Sequence, residues 1–253
     1  MADLKADAKR ALAALDLTNL DKDCDADAVR ELCARATTPF GKTAAVCVWP
    51  AFVSQSKTAL AGSGVKVATV VGFPGGEDAV ADVVDLTEQA VADGADEIDM
   101  VIPYQSFMEG REEMVVTRVK RVKRAAGAAT VKAILETGVL QDAGMIRRAA
   151  DLAIEGGADF IKTSTGKVAV NATLRAARIM LEAIRDSGEA VGLKPAGGVK
   201  TTADAANYLA LADEVMGEGW ATPETFRLGA SSALDALLAT LRGEAAPDAA
   251  RGY

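Results

Sequence analysis

EGGADFIKTSTGK, residues 155–167, runs from the end of a helical pattern, through Gly-Gly-Ala-Asp, into a short apolar run that carries a lysine. Phe160, Ile161 and Lys162 read as a β-strand, and residues 163–166 as a turn rich in hydroxyls and free backbone N–H groups. The same helix-to-strand phrase stands at ADGADEIDMVI, residues 92–102, and again at LALADEVMG, residues 209–217. Successive copies are roughly sixty residues apart, about two units of the period expected of repeated supersecondary elements. VKAILE and AVGLKPA supply further helix-to-strand units between them. Strands are therefore expected near residues 44–49, 66–73, 97–102, 131–136, 159–164, 190–195, 213–217 and 227–231. Alternation of that many strands with helices, in this length of chain, predicts an α/β fold, a single (β/α)8 TIM barrel. An open doubly wound sheet is the alternative, but no Gly-x-Gly-x-x-Gly follows the first strand and no Walker-type loop is present. An extra N-terminal helix is expected over residues 3–15 and a second over residues 25–36. The barrel domain should span residues 1–242. Residues 243–253, a Pro/Gly/Ala/charge segment ending in Tyr253, read as a flexible C-terminal tail.

Composition narrows the chemistry. Half of the 253 residues are hydrophobic and a quarter charged, as in an ordinary globule. A net charge of −8 argues against nucleic acid or an anionic membrane as partner, so any anion site must be local. No apolar run approaches the roughly 20 residues that span a bilayer, and the N-terminus lacks a signal-type apolar region. A cytoplasmic location is the expectation. There is no histidine, which removes Ser-His-Asp and Cys-His catalysis and every imidazole-based zinc site. The three cysteines, Cys24, Cys33 and Cys47, form no Cys-x-x-Cys pair, and no disulfide framework is expected. No dense acidic motif announces a metal, and no cofactor is expected.

Strand parity assigns faces. Glu97, Asp99 and Val101 should point into the barrel, as should Phe160, Lys162 and Ser164, then Gly192 and Lys194. Asp99, Lys162 and Lys194 would then converge near the C-terminal ends of the strands, where barrel active sites lie. An ammonium inside a strand is costly unless compensated. Burial and a second cation both favour a neutral amine. Such an amine attacks carbonyls to form an imine, and a carboxylate such as Asp99 can move the protons. Turns at Thr165-Gly166, Gly197-Gly198 and Gly229 to Ser232 suit an anion, with Lys167 adding one charged contact. By this count the turns follow strands five, six and eight, an imperfect match to the usual barrel phosphate loops after strands seven and eight. Lys132 and Glu136 read as an internal ion pair, and Cys47, with no histidine to activate it, as a packed thiol.

Taken together, these motifs resemble the deoxyribose-phosphate aldolases, a family of lysine-dependent aldolases. The resemblance runs through LDLTNL, TPFGKTAAVCVWP, GADEIDMV, LETG, GADFIKTSTGKVAVNAT, KPAGGV and RLGASS. FIKTSTGK and KPAGGV are its most specific parts. It implies a metal-independent (β/α)8 lyase that cleaves 2-deoxy-D-ribose 5-phosphate reversibly to acetaldehyde and D-glyceraldehyde 3-phosphate through a lysine Schiff base. Carried over by motif, Lys162 forms the Schiff base, Lys194 tunes it and helps move protons, and Asp99 is the proton donor and acceptor. Thr165, Gly166, Lys167, Gly197, Gly198, Gly229, Ser231 and Ser232 are expected to line the phosphate and substrate site. Tyr253 takes the place of a C-terminal tyrosine that helps protonate the enamine. The partners implied are small phosphosugars and aldehydes, and a homodimer is the assembly allowed for. The alternatives are another imine-forming phosphosugar aldolase or transaldolase, and a phosphosugar-binding protein without catalysis.

Overall fold

The computed structural model describes residues 4–244. Eight short strands form one parallel sheet: β1 Leu15–Thr18, β2 Ala45–Val48, β3 Lys66–Val71, β4 Glu97–Val101, β5 Thr130–Ile134, β6 Phe160–Lys162, β7 Gly192–Lys194 and β8 Leu228–Ala230. From β1 to β7 each strand pairs with the next in chain order, and β8 returns to pair with β1 through Leu15–Leu228 to Leu17–Ala230. The seam between β7 and β8 is closed by two isolated bridges, Leu193 with Phe226 and Ala196 with Gly229. Pro195 has no N–H to donate there, so the ladder cannot run unbroken. It accepts from the Gly229 N–H at 2.8 Å instead. Helices lie between the strands, giving the expected (β/α)8 barrel with the extra helix Leu4–Ala13 ahead of β1. That helix packs against Thr202–Met216 and Ala233–Arg242, and Arg10 is bidentate to Asp213 at 2.8 Å.

The strand count of eight is correct, but its membership is not. LALADEVMG is the C-terminal half of the helix Thr202–Met216 rather than a strand. The other two copies of the phrase are preceded by a glycine with positive φ, Gly94 at +102° and Gly157 at +87°, which stops the helix before Ala-Asp. No glycine precedes Ala212-Asp213, so a helix begun by the Thr201–Asp204 capping box continues to Gly217. The missing strand is β1, read as the end of the first helix, which stops at Ala13. Its four residues, Leu-Asp-Leu-Thr, alternate strictly, with Asp16 and Thr18 on one face and the buried Leu15 and Leu17 on the other. The shift moves the glycine turns to positions after β6, β7 and β8, which agrees with barrel phosphate loops better than the sequence count did.

Two apolar layers hold the ring. The larger lies between strands and helices and includes Val46, Val48, Ile98, Met100, Val131 and Ile161. A small inner cluster of Leu20, Ala45, Cys47, Ala68 and Val70, with Trp49 and Phe73 against it, lines one side of the lumen. The other side is charged. Helix Ala233–Arg242 is closed by Gly243, and of the expected tail only Gly243 and Glu244 lie within the described residues. Tyr253 lies outside them.

Glycine is required where β7 passes its neighbours. A Cβ on Gly192 would stand 2.3 Å from the Phe160 ring and 2.6 Å from the Thr225 carbonyl. Gly192→Ala is expected to lower stability by about 1–3 kcal/mol through overpacking. The urea midpoint measures this, and an unchanged midpoint would show that the seam relaxes freely.

Candidate active site

Asp99, at the middle of β4, is wholly buried and holds three lysines. Lys132 on β5 donates to Oδ1 at 2.8 Å, while Lys162 on β6 and Lys194 on β7 donate to Oδ2 at 2.8 and 2.7 Å. Register produces this convergence. Asp99 pairs with Lys132 across β4–β5, and Lys162 with Lys194 across β6–β7, so side chains of like parity meet in the lumen. The three residues expected to converge do so.

A second set of charges lies around the first. Asp16 on β1 forms an ion pair with Lys194 at 2.6 Å and accepts from Arg227 at 2.7 Å. Glu97 on β4 takes Lys132 at 2.6 Å and both Arg227 nitrogens, at 2.7 and 3.0 Å. Lys132 is therefore part of the lysine cluster and does not pair with Glu136, which corrects the expected ion pair. The sequence alternation of β5 was right for Lys132, but the strand ends at Ile134 and Glu136 turns away in a left-handed conformation, φ +58°. Asp16, Arg227 and Lys132 were missed as site residues. Asp16 was lost with β1, and Arg227 precedes β8 by one residue.

The electrostatics separate the lysines. Burial disfavours charge on all three, but Asp16 and Asp99 outweigh it at Lys194, which is held above the ordinary lysine range. Burial is likewise outweighed at Lys132, by Asp99 and Glu97. At Lys162 burial prevails over the pull of Asp99, and the nearby Lys194 charge adds to it, so this amine titrates lower than an ordinary lysine. Burial also opposes charge on Asp99, yet the three lysines hold its carboxyl well below the usual range. Asp99 is a carboxylate in the resting site. Cys47 is fully buried on the lumen side, and burial pushes its thiol up, as a packed and protonated cysteine requires.

Of these charged groups, Lys162 alone reaches the cavity, open to solvent, at the C-terminal ends of β6, β7 and β8. Every residue expected to hold phosphate lines it: Thr165, Gly166, Lys167, Gly197, Gly198, Gly229, Ser231 and Ser232. Thr18, Leu20 and Lys200, not foreseen, line it too. Gly197 and Gly198 both have positive φ, +79° and +86°, which turns their loop tightly; the Gly197 N–H is spent on the Gly229 carbonyl at 3.2 Å. Ser232 begins the helix Ala233–Arg242 without bonding its first turn through its side chain, so the leading N–H groups of that helix face the Gly229–Ser232 turn. Lys167 lies 3.9 Å from Asp21 at the rim.

The first turn is braced from below. The buried Glu136 carboxylate accepts from the Thr165 hydroxyl at 2.5 Å and from its N–H at 3.3 Å. The Thr165 hydroxyl in turn accepts from the Lys167 N–H at 3.0 Å. Thr165→Val removes both contacts and leaves a buried carboxylate short of a donor. A loss of about 1–3 kcal/mol is expected in chemical denaturation. A loss under about 0.5 kcal/mol would show that the turn stands without the brace.

Comparison with known proteins follows the same lines. Residues 10–236 match the DeoC/LacD family aldolase. A deoxyribose-phosphate aldolase of Agrobacterium fabrum is 55% identical over 244 residues, which cover 96% of this chain and 94% of that protein. A Coccidioides immitis structure assigned as a deoxyribose-phosphate aldolase superposes with a TM-score of 0.81 at 31% identity, covering 92% of this chain and 86% of that one. A tetrameric deoxyribose phosphate aldolase from Aeropyrum pernix shares the fold, with a TM-score of 0.76 at 24% identity over 94% of this chain and 97% of its own.

Proposed function

The chain belongs to the DeoC/LacD family of aldolases, and from that premise we propose that it is a deoxyribose-phosphate aldolase working through an imine on Lys162. The observation that carries the assignment to this lysine is the coincidence of two properties. Lys162 is the buried amine held below the ordinary range, and it is the member of the cluster that borders the cavity. Lys194 and Lys132 are each held as ammonium ions by carboxylates and lie outside the cavity lining.

The reaction follows from this arrangement. 2-Deoxy-D-ribose 5-phosphate enters in its open-chain form, with the phosphate at the three glycine turns and the C1 aldehyde at Lys162. The neutral amine attacks C1 to give a carbinolamine, which loses water to become a protonated imine. Asp99, an ionised carboxylate between Lys162 and Lys194, accepts a proton as the Lys162 amine adds. Lys194, an ammonium on the same carboxylate oxygen, returns one. The protonated imine draws the electron pair of the C2–C3 bond toward nitrogen as the C3 hydroxyl loses its proton. D-Glyceraldehyde 3-phosphate leaves, the enamine is protonated at C2, and water releases acetaldehyde. The imine itself is the electron sink, so the scheme is metal-independent. A phosphorylated substrate does not cross a bilayer unaided, which supports action in the cytoplasm. No helix among the described residues is long and apolar enough to cross a membrane.

Borohydride reduction in the presence of 2-deoxyribose 5-phosphate, followed by peptide mass mapping, is expected to place the adduct on Lys162. An adduct on Lys167 or Lys194 would keep the reaction class and overturn the assignment. No adduct, with ligand binding shown separately, would favour a non-catalytic binding protein. Lys162→Ala is expected to lose about 10³-fold or more in kcat, the scale of losing a covalent nucleophile. Its thermal melt should stay near that of the parent, and turnover within tenfold of the parent would remove Lys162 from its role.

The pH dependence has a definite sign. Only the unprotonated amine attacks, and Lys162 titrates below the ordinary lysine value of about 10.4. Imine formation should therefore rise with pH, reach its plateau below the ordinary lysine range, and fall on the acid side as Lys162 takes a proton. The rate of reductive trapping against pH checks this. A midpoint at or above that of an exposed lysine would contradict the electrostatic reading.

A further inference from the structure

Seven buried charged groups make up the lumen lattice. The carboxylates are Asp16, Glu97 and Asp99; the cations are Lys132, Lys162, Lys194 and Arg227. If every group carries its usual charge, four cations face three carboxylates. A buried lattice with one uncompensated cation is unfavourable, and the least costly relief is for one amine to give up its proton. Arginine does not, since its guanidinium stays protonated in proteins. Lys194 has two carboxylate partners at 2.6 and 2.7 Å, and Lys132 has two at 2.6 and 2.8 Å and a third, Asp16, at 3.8 Å. Lys162 has only Asp99, already shared with both other lysines, and is the most exposed of the three lysines.

Resting on the imine reading above, we infer that Arg227, which does not line the cavity, keeps the Lys162 amine uncharged by occupying two of the three carboxylates that would otherwise stabilise a third ammonium. Arg227 takes Glu97 in a bidentate grip and Asp16 at 2.7 Å, and its guanidinium also lies 5.6 Å over the Phe160 ring. It acts through other residues and is a positioning group for charge rather than a catalytic residue. Without it, Asp16 would serve Lys194 and Lys132 more fully. Asp99 would then be released toward Lys162, and the lattice would balance with all three lysines protonated.

The remaining titratable groups around Lys162 do not alter the comparison. Cys47, on β2, is a buried thiol pushed toward its protonated form by that burial. Glu136, beyond the end of β5, feels the Lys162 charge, but burial pushes its carboxyl up toward the neutral form; it bonds to Thr165 and makes no ion pair among the described residues. Lys167 and Lys200 belong to the cavity wall. None of them changes between the variants below.

The test is a charge cycle read as the pH midpoint of borohydride trapping on Lys162 with acetaldehyde. Arg227→Met removes a cation and is expected to raise the midpoint by about one unit, so that trapping on the acid side slows about tenfold. Glu97→Gln removes an anion and is expected to lower the midpoint by a similar amount. The double variant removes one of each, and its midpoint should return close to that of the unsubstituted chain. Arg227→Lys keeps the charge and should leave the midpoint near the original even where the fold is less stable. A purely structural role predicts lower rates at every pH, a fixed midpoint, and a double variant no better than either single one; that pattern would overturn the inference. Circular dichroism and thermal melts accompany each variant. Should Arg227→Met fail to fold, the downward shift in Glu97→Gln and its reversal in the double variant decide the matter. Absence of any Lys162 adduct in the unsubstituted chain would instead overturn the imine reading and this inference together. An adduct with one common midpoint would overturn this inference alone.

Discussion

A single carboxylate shared by three lysines sets the terms for the whole barrel. Asp99 has no exposure to solvent, and each of its oxygens is engaged by ammonium or amine at 2.7–2.8 Å. In a low-dielectric interior such a group is stable only when its partners stay in place, because an unpaired buried charge costs several kcal/mol. Its partners come from three further strands, so the relative register of β4, β5, β6 and β7 is tied to its satisfaction. Apolar packing would tolerate small slips. This lattice does not, and the same rigidity that it imposes on the fold keeps an amine that titrates below the ordinary lysine range beside an ionised carboxylate.

The proposed phosphate site is built from a different material. The turns after β6, β7 and β8 supply backbone N–H groups and serine and threonine hydroxyls, which need no net charge and therefore suit a chain carrying −8 overall. The lattice lies below the cavity, and the turns rise above it. Glu136 belongs to neither layer. It spends its buried carboxylate on bracing Thr165, and the left-handed conformation that aims it there is the kind of local strain found where a loop must be held for a ligand.

Much of this was readable in the residues, for physical reasons that differ from part to part. Lys162 and Lys194 stood out because a lysine in an apolar strand followed by a glycine turn conflicts with ordinary burial preferences. Period-two alternation then carried Asp99 to the same face. β1 was hidden because four alternating residues directly after a helix give almost no periodic signal, and with it went Asp16. The false strand at 213–217 had the right words in the wrong context, since the glycine that stops the helix in the other two copies is absent. Lys132 was placed on the correct face but assigned to the wrong partner. Sequence spacing shows which residues share a strand, while a partner such as Glu97 or Asp99 depends on the inter-strand register, which the sequence does not state.

The way the ring closes has a consequence for the chain during its synthesis. β8 is the last strand to be made and β1 the first, and the two must pair before the sheet is complete. Arg227 arrives with β8, whereas Asp16 and Glu97 are made much earlier and have no other arginine to meet among the described ion pairs. A chain still short of Phe226 therefore leaves β1 with an open edge, and Asp16 and Glu97 without the guanidinium that ties them together.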